Sequence, residues 1–492
     1  MKNFESVEAM KRATLNAGQT IHTKGFSSPG DGGGATYLTA GPQAVDGYGD
    51  HLLANGNVAL LQVSGAVNVN LFGAVGDGVA DDYENLQYAI NSARQKRVAL
   101  KLRSGRTYNT SYALLIPDNI EISTTGRGNC VIQKTTSNGL ESPKTVTNRG
   151  IVYDLSQKAV MVYDTADSGA TATYTYNIKL RGISLTATTE QDYSVYAPRC
   201  AYLEFEKCGM YNCITGFWTH NTWKSYFEIA GNETTINLIR FENDGSGDGT
   251  GTSNDFDIWH KGTGNALYAY GLSYSKISRV ILEGITAGNS AGSLGIIDFA
   301  SCRGMQIEQI GLEVCTLSSG AVVRATGEDY MSIDSADIGR LTLGAGTYMI
   351  NTSGVTIDYK GRHFGCDDTA ASFCCNLTNG GSLITDTDSL VLPGWTKECV
   401  VDTAGGSKLK DRRTARNFYR DDTARSYTFT GNTRHFGHLF SGSPVGGTKW
   451  KNGDTLGQVN VNRIGPPFND PLCWIQDGDG APNFVAVYAS KT

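Results

Sequence analysis

The chain has 492 residues, with 60 glycines against 11 prolines, 10% aromatic residues and a formal net charge of −6. A weakly acidic chain with only 18% charged residues is not a basic nucleic-acid binder, and its aromatic content excludes a disordered linker. Glycine in company with Tyr, Thr, Ile and Val points instead to many short strands joined by tight turns.

Residues 1–65 read as a small β-rich domain. A short amphipathic helix (Val7, Met10, Ala13, Leu15) leads into TIHTKGFSSPGDGGGATYLTA, two strands around a Pro-Gly-Asp turn, with further turns at Asp46–Gly47 and Asn55–Gly56. The opening MKNFESVEAMKRATL lacks the apolar core of a signal peptide, and no run of about 18 apolar residues occurs. The expectation is a product made in the cytoplasm, with no membrane insertion.

Residues 66–97 form a neck and capping helix. After the strand-like AVNVNLFG, the GDG of residues 76–78 makes a turn. Asp81 stands at the N-cap with Glu84 three residues on, a capping-box spacing. Leu86, Ala89, Ile90 and Ala93 follow at helical spacing over about three turns. A lone amphipathic helix ahead of many strands can cover the open end of a β-stack.

From 98 to 362, segments of alternating apolar residues recur, with Ile178, Leu203 and Phe227 about two dozen residues apart. This is the length of one coil of a parallel β-helix, whose inner side stays uncovered unless neighbours stack on it; an antiparallel sandwich array is the alternative. Residues 363–425 are charged and poorly alternating and read as a connecting or interface segment. Residues 426–492 read as a C-terminal β-domain with strands YTFTG, HFGHLF, QVNVNRI, LCWIQ and FVAVYAS. The 11 cysteines are odd in number, without CxxC spacing, and include the neighbours Cys374 and Cys375. Cys208, Cys302 and Cys315 sit in apolar alternation and read as small buried hydrophobes.

The segment NLFGAVGDGVADDYENLQYAINSA followed by VALKLRSGRTYN resembles the opening of bacteriophage tailspikes built on a pectate-lyase-like right-handed parallel β-helix. The preceding VEAMKRATLNAGQTIHTKGFSSPGDGGGATYLTA is similar to the attachment domain of phage tail proteins, and GSPVGGTKWKNGDTLGQVNV with CWIQDGDGAPNF to a C-terminal module of such spikes. The resemblance implies an all-β homotrimer on a virion tail, docked to a baseplate or tail protein through its N-terminal domain. It further implies binding, and usually cleavage, of a bacterial surface polysaccharide. No catalytic residues carry over from it. The calcium, aspartate and arginine chemistry of pectate lyases proper has no matching cluster here, so no metal or other cofactor is expected.

Glycan cleavage by hydrolysis needs two carboxylates, with aromatic faces for the sugar rings. The densest match is residues 218–261. In SNDFDIWHKG, inward Phe256 and Ile258 leave Asp255, Asp257 and Trp259 outward, with His260 and Lys261 at the turn; in WKSYFEIAG, Tyr226 and Glu228 are outward and Trp223 lies just before them. Asp255, Asp257 and Glu228 are therefore the expected catalytic carboxylates. Trp223, Tyr226, Trp259, His260 and Lys261 are the expected substrate contacts. Strand rise sets the Asp255 and Asp257 Cα atoms about 6.5 Å apart, nearer the inverting than the retaining spacing. Glu283, Asp298, Glu308 and Glu313 are expected to face outward on later coils, and Asp334 and Asp337 form another close pair. The enzymatic alternative is a polysaccharide lyase with His260 or Lys261 as base beside Tyr268 or Tyr270; the non-enzymatic one is a non-cleaving receptor-binding fibre.

Overall fold

The computed structural model describes residues 2–411, apart from 126–128, 136–143, 149–150, 156–158, 166–173, 188–190, 233–236, 243–249, 288–294, 328, 345, 361–362, 367–372, 386–397 and 403–404, together with 428–430, 455–457, 473–476 and 484–487. It divides into two compact units, 1–258 and 259–492, and the division falls inside the strand Asp255–Lys261.

In the first unit, a five-stranded sheet runs in the order Lys2–Phe4, Thr20–Thr23, Thr36–Ala40, Val58–Gln62, His51–Leu52. The helix Val7–Lys11 is capped by Ser6, whose hydroxyl accepts from the Ala9 amide, and it buries Val7 and Met10. The Pro-Gly-Asp turn closes on Asp31, whose carboxylate accepts from the amides of Phe26, Ser27, Ser28 and Gly33.

A parallel ladder begins at Ala66–Asn68, which pairs with Ala99–Leu102. Between them the helix Tyr83–Lys96 spans 14 residues and buries Leu86, Ala89, Ile90 and Ala93, the expected stripe. Its N-cap is Asp82 rather than Asp81, and the capping box does not form. The buried Asp82 carboxylate turns back instead to accept from the amides of Val75 (2.7 Å) and Gly76 (2.9 Å), so the glycine-rich turn is tied to the helix start. Asp81 accepts from the amides of Tyr83 and Ser111. Gly76 has φ +64°, and a Cβ there would meet the Tyr108 ring at 2.7 Å, so only glycine fits.

Each coil of the first unit has three faces. The first runs Ala99–Leu102, Ile120–Thr124, Ile178–Arg181, Glu204–Tyr211, Tyr226–Asn232. The second runs Leu114–Ile116, Ala159–Tyr163, Gln191–Tyr196, Cys213–Thr219, Asn237–Phe241, and the third Thr175–Tyr176, Arg199–Ala201, Asn221–Trp223, Gly251–Thr252. All of these pairings are parallel, as a β-helix requires and a sandwich array does not. Inside, Phe205, Phe227 and Phe256 stack with ring centroids 5.4 and 5.2 Å apart, and Phe217 on the second face meets Phe227 at 5.0 Å. Phe227 therefore registers with Phe205, two residues beyond the expected Leu203. The corner ahead of the first face is a left-handed residue in coil after coil: Asn119, Asn177, Tyr202, Lys224 and Ser253 all have positive φ. Asn177 donates its side-chain amide to the Asn119 side chain at 2.8 Å, so stacking neighbours help offset the strain of the bend.

The second unit repeats the scheme. Its first face runs from Lys276–Glu283 through Met305–Ile307, Tyr330–Ile333, Thr356–Tyr359 and Ser382–Thr385 to Lys408–Asp411. Its second runs from Asn265–Tyr270 through Gly295–Ala300, Ala321–Thr326, Tyr348–Ser353, Phe373–Thr378 and Glu398–Asp402 to Thr428–Thr430. The ladder thus continues past residue 362, through part of the segment expected to be connecting, and takes in the strand expected to open the C-terminal domain. Farther on, Thr455–Gly457, Cys473–Gln476 and Phe484–Val487 form an antiparallel sheet; the expected strands HFGHLF and QVNVNRI lie outside the described residues. Among the described residues, no helix is long and apolar enough to cross a membrane.

Candidate functional site

Strand Asp255–Lys261 alternates as the sequence requires: Phe256, Ile258 and His260 are buried, while Asp255, Asp257, Trp259 and Lys261 are partly exposed. In the first unit its register is fixed at the corner. The Asp255 amide donates to the Ser225 carbonyl at 2.9 Å. The buried Asn254 side chain accepts from the Ser225 amide and donates to the Thr222 carbonyl. With Phe256 stacked on Phe227, Asp255 lies in the row of Tyr226 and Asp257 in the row of Glu228, one coil apart, about 4.8 Å.

Glu228 is anchored: its Oε2 accepts from the Lys207 amide at 3.2 Å. That amide is exposed by a register shift between Phe205 and Cys208, where Lys207 has φ +52°. One coil earlier the carboxylates are neutralised. Glu204, in register with Tyr226, is ion-paired with Lys179 (2.6 Å) and Arg181, and those partners, Lys179 foremost, hold its carboxyl below the usual range. On the first face, Glu204 with its two cations thus lies one coil before Glu228, and Asp255 and Asp257 one coil after it.

Trp223 does not share that face. It lies on the third face, 43% exposed, with its ring 5.3 Å from Tyr174, which in turn is 6.0 Å from Tyr176. The turn at Lys224–Ser225 separates it from Tyr226, and Lys224 bends over the Tyr202 ring at 5.8 Å. Tyr174 and Tyr176 complete a three-ring strip that the sequence reading missed. They stand about two coils from Trp223, and nothing local marks them as its neighbours.

In the second unit, Lys261 is ion-paired with Glu283 at 3.2 Å. His260 corrects the expectation of a surface contact or lyase base. The strand runs through both residues of the expected turn, to Lys261, so alternation points the imidazole inward, where it is fully buried. Neither ring nitrogen makes a hydrogen bond of good geometry, and burial pushes its pKa down to about 4, the Gly264 backbone offsetting this only in part. Asp298 is likewise fully buried rather than outward, against the Arg324 guanidinium at 2.9 Å. Glu308 pairs with Lys276, and Asp334 with Lys360. Among the described residues there is no cluster of three or more His, Cys, Asp or Glu able to hold a metal.

A further aromatic and polar group occupies the second face of the first unit. Trp218 stacks on Tyr196 at 4.8 Å with an interplanar angle of 6°, lies 5.6 Å from Tyr193, and meets His220 edge-on at 4.2 Å. Its indole Nε1 donates to Glu242 at 2.9 Å, and Arg240 pairs with the other Glu242 oxygen at 2.7 Å. Burial pushes the Glu242 carboxyl up, but the bonds from Arg240 and Trp218 outweigh it and leave the group lowered.

No protein-family model and no curated protein matches the chain. Among solved structures, it is similar to the gp42 tailspike of Acinetobacter phage vb_AbaP_AS12, at 14% identity over 99% of this chain and 93% of that one, with a TM-score of 0.65. The enzymatically active domain of tailspike protein 2 of bacteriophage CBA120 aligns at 14% identity over 77% of this chain and 56% of that one, with a TM-score of 0.48. The tailspike of Acinetobacter phage vB_ApiP_P1 aligns at 13% identity over 93% and 80%, with a TM-score of 0.45. The parallel coils and the first of these likenesses together give the chain the β-helix fold of a phage tailspike.

Proposed function

We propose that the protein is a phage tailspike that binds a bacterial surface polysaccharide and depolymerises it by glycoside hydrolysis. The observation that carries this reading is the set of adjacent outward carboxylates Glu228, Asp255 and Asp257, on a fold whose solved counterpart over nearly its whole length is a tailspike. Asp255 and Asp257 form the acid–base pair. One protonates the glycosidic oxygen as the other activates water; their Cα atoms lie about 6.5 Å apart by strand rise, and inversion is the expected outcome. Glu228, held by the Lys207 amide, fixes the sugar between them. Tyr226 supplies aromatic contact beside the carboxylates, and the Trp223 strip supports the polymer on the neighbouring face. The expected assembly is a homotrimer on the virion tail, docked to the baseplate or a tail protein by residues 1–65 and made in the host cytoplasm.

Purified protein spotted on a panel of bacterial lawns tests this directly. Haloes are expected, with reducing ends released from the extracted polysaccharide. Asp257→Asn should abolish that release, a loss of at least about a thousandfold, while the urea-unfolding midpoint stays unchanged. An unsaturated product absorbing in the ultraviolet would replace hydrolysis by β-elimination, and binding without haloes would leave a non-cleaving receptor-binding protein. Retained activity in the variant would remove the acid–base pair.

A further inference from the structure

The second-face group has a feature that the carboxylate row does not explain. Tyr196, Trp218 and Arg240 share one register row. The Glu242 amide donates to the Thr219 carbonyl, which sets Glu242 beside His220 in the next outward row. Trp218 Nε1 and both Glu242 oxygens are engaged with one another or with Arg240. His220 Nδ1 lies 2.9 Å from the Glu242 backbone carbonyl. A carbonyl oxygen can only accept, so Nδ1 carries the proton, and in the neutral ring Nε2 is left as an acceptor. His220 is only partly buried, and its Nε2 makes no hydrogen bond to the described residues. The arrangement therefore builds an acceptor on a partly exposed ring, oriented by the Glu242 main chain and by the Trp218 indole packed against it.

We infer that this group is a second saccharide subsite, selective for a neutral pyranose. A sugar hydroxyl donates to His220 Nε2 while the apolar face of the ring packs on Tyr196 or Tyr193. Neutrality follows from charge: the Arg240 guanidinium of this group is already paired with Glu242 and is not held for a uronate or other acidic sugar. The inference rests on the polysaccharide reading above and deepens it by naming the sugar class held on this face.

The probe is polysaccharide extracted from a strain whose lawn the protein clears or binds, cut by partial acid hydrolysis and separated by ion exchange into neutral and uronate-bearing fragments. Neutral fragments should bind the full chain and change tryptophan emission, and Trp218→Phe should remove that change. His220→Ala and Tyr196→Leu should each weaken binding about tenfold, the scale of one hydrogen bond or one stacking contact, with unchanged unfolding midpoints. If His220→Ala unfolds early, His220→Gln, which keeps an acceptor oxygen, should recover part of the affinity in a folded chain. Wild-type affinity for neutral fragments in all of these variants would overturn the subsite while leaving depolymerisation intact. Binding confined to uronate-bearing fragments would overturn the ligand class. Failure to bind or clear any lawn would defeat the polysaccharide reading itself.

Discussion

Cys208, Cys302 and Cys315 each follow a left-handed residue, respectively Lys207, Ser301 and Val314. At such a bend the next side chain turns inward into a tight corner, where a thiol fits and finds a carbonyl to donate to: Leu180, Ala269 and Leu282, at 3.3, 3.3 and 3.2 Å. Burial pushes Cys130, Cys208 and Cys302 up to about 12, so almost no thiolate is present at neutral pH. A thiol reagent such as Ellman's, applied at about pH 8 to the native chain, should leave these three unmodified and label them fully in denaturant; rapid labelling in the native state would contradict the packing. The burial of Cys208, Cys302 and Cys315 is legible in the sequence from the apolar alternation around them. The face that Trp223 occupies is not legible in the sequence. Which face a segment occupies depends on where the corner falls, and here the corner is set by Lys224 and Ser253 in the left-handed conformation, without the glycine or proline that would announce it. His260 lies inside because the strand continues through His260 and Lys261, which extends the inward alternation of Phe256 and Ile258 by one more side chain.

At the level of elements, the first unit is held by a ladder rather than a pooled core. Leu180, Phe205 and Phe227 share a column by register, and Phe256 continues it by stacking. The steps along it, 180 to 205 to 227 to 256, are 25, 22 and 29 residues. Such uneven steps explain why sequence periodicity revealed coils but misaligned Leu203 with Phe227: loops at the corners change length without disturbing the stack, so spacing carries the fold only loosely. Phe227 is fully buried and touches Phe205, Phe217, Phe241 and Phe256. Phe227→Ala should cost about 3–5 kcal/mol, seen as a lower urea midpoint. Because Glu228 follows directly on the same strand, depolymerisation should weaken well below the denaturing range. Phe227→Leu should cost less, since it leaves a smaller cavity. Equal midpoints for Phe227→Ala and wild type would mean that the ladder is not the supporting element.

For the molecule as a whole, acid is the condition that the two units meet in the same way. His51 in the first unit is half-buried beside Tyr37, with ring centroids 5.6 Å apart, and desolvation, with a contribution from Lys11, pushes its pKa down to about 4. His260 in the second unit is pushed to about 4 by burial. In the unfolded chain both should titrate near 6.5. Between those values the unfolded state binds protons that the folded state refuses, so stability is fully present above about pH 6.5 and is lost as pH falls toward about 4, below which this contribution levels off. Each histidine accounts for on the order of 3 kcal/mol across that window. His260→Leu removes one of them and also a buried ring whose nitrogens find no good partner. Urea unfolding at about pH 7.5 and about pH 4.5 should therefore show a smaller acid penalty in the variant than in the wild type, with equal or higher stability at neutral pH. Because His260 lies inside and touches no substrate in the proposed mechanism, halo formation at neutral pH should persist in His260→Leu. Loss of cleavage in a variant that remains folded would return the imidazole to the chemistry from which its burial excludes it.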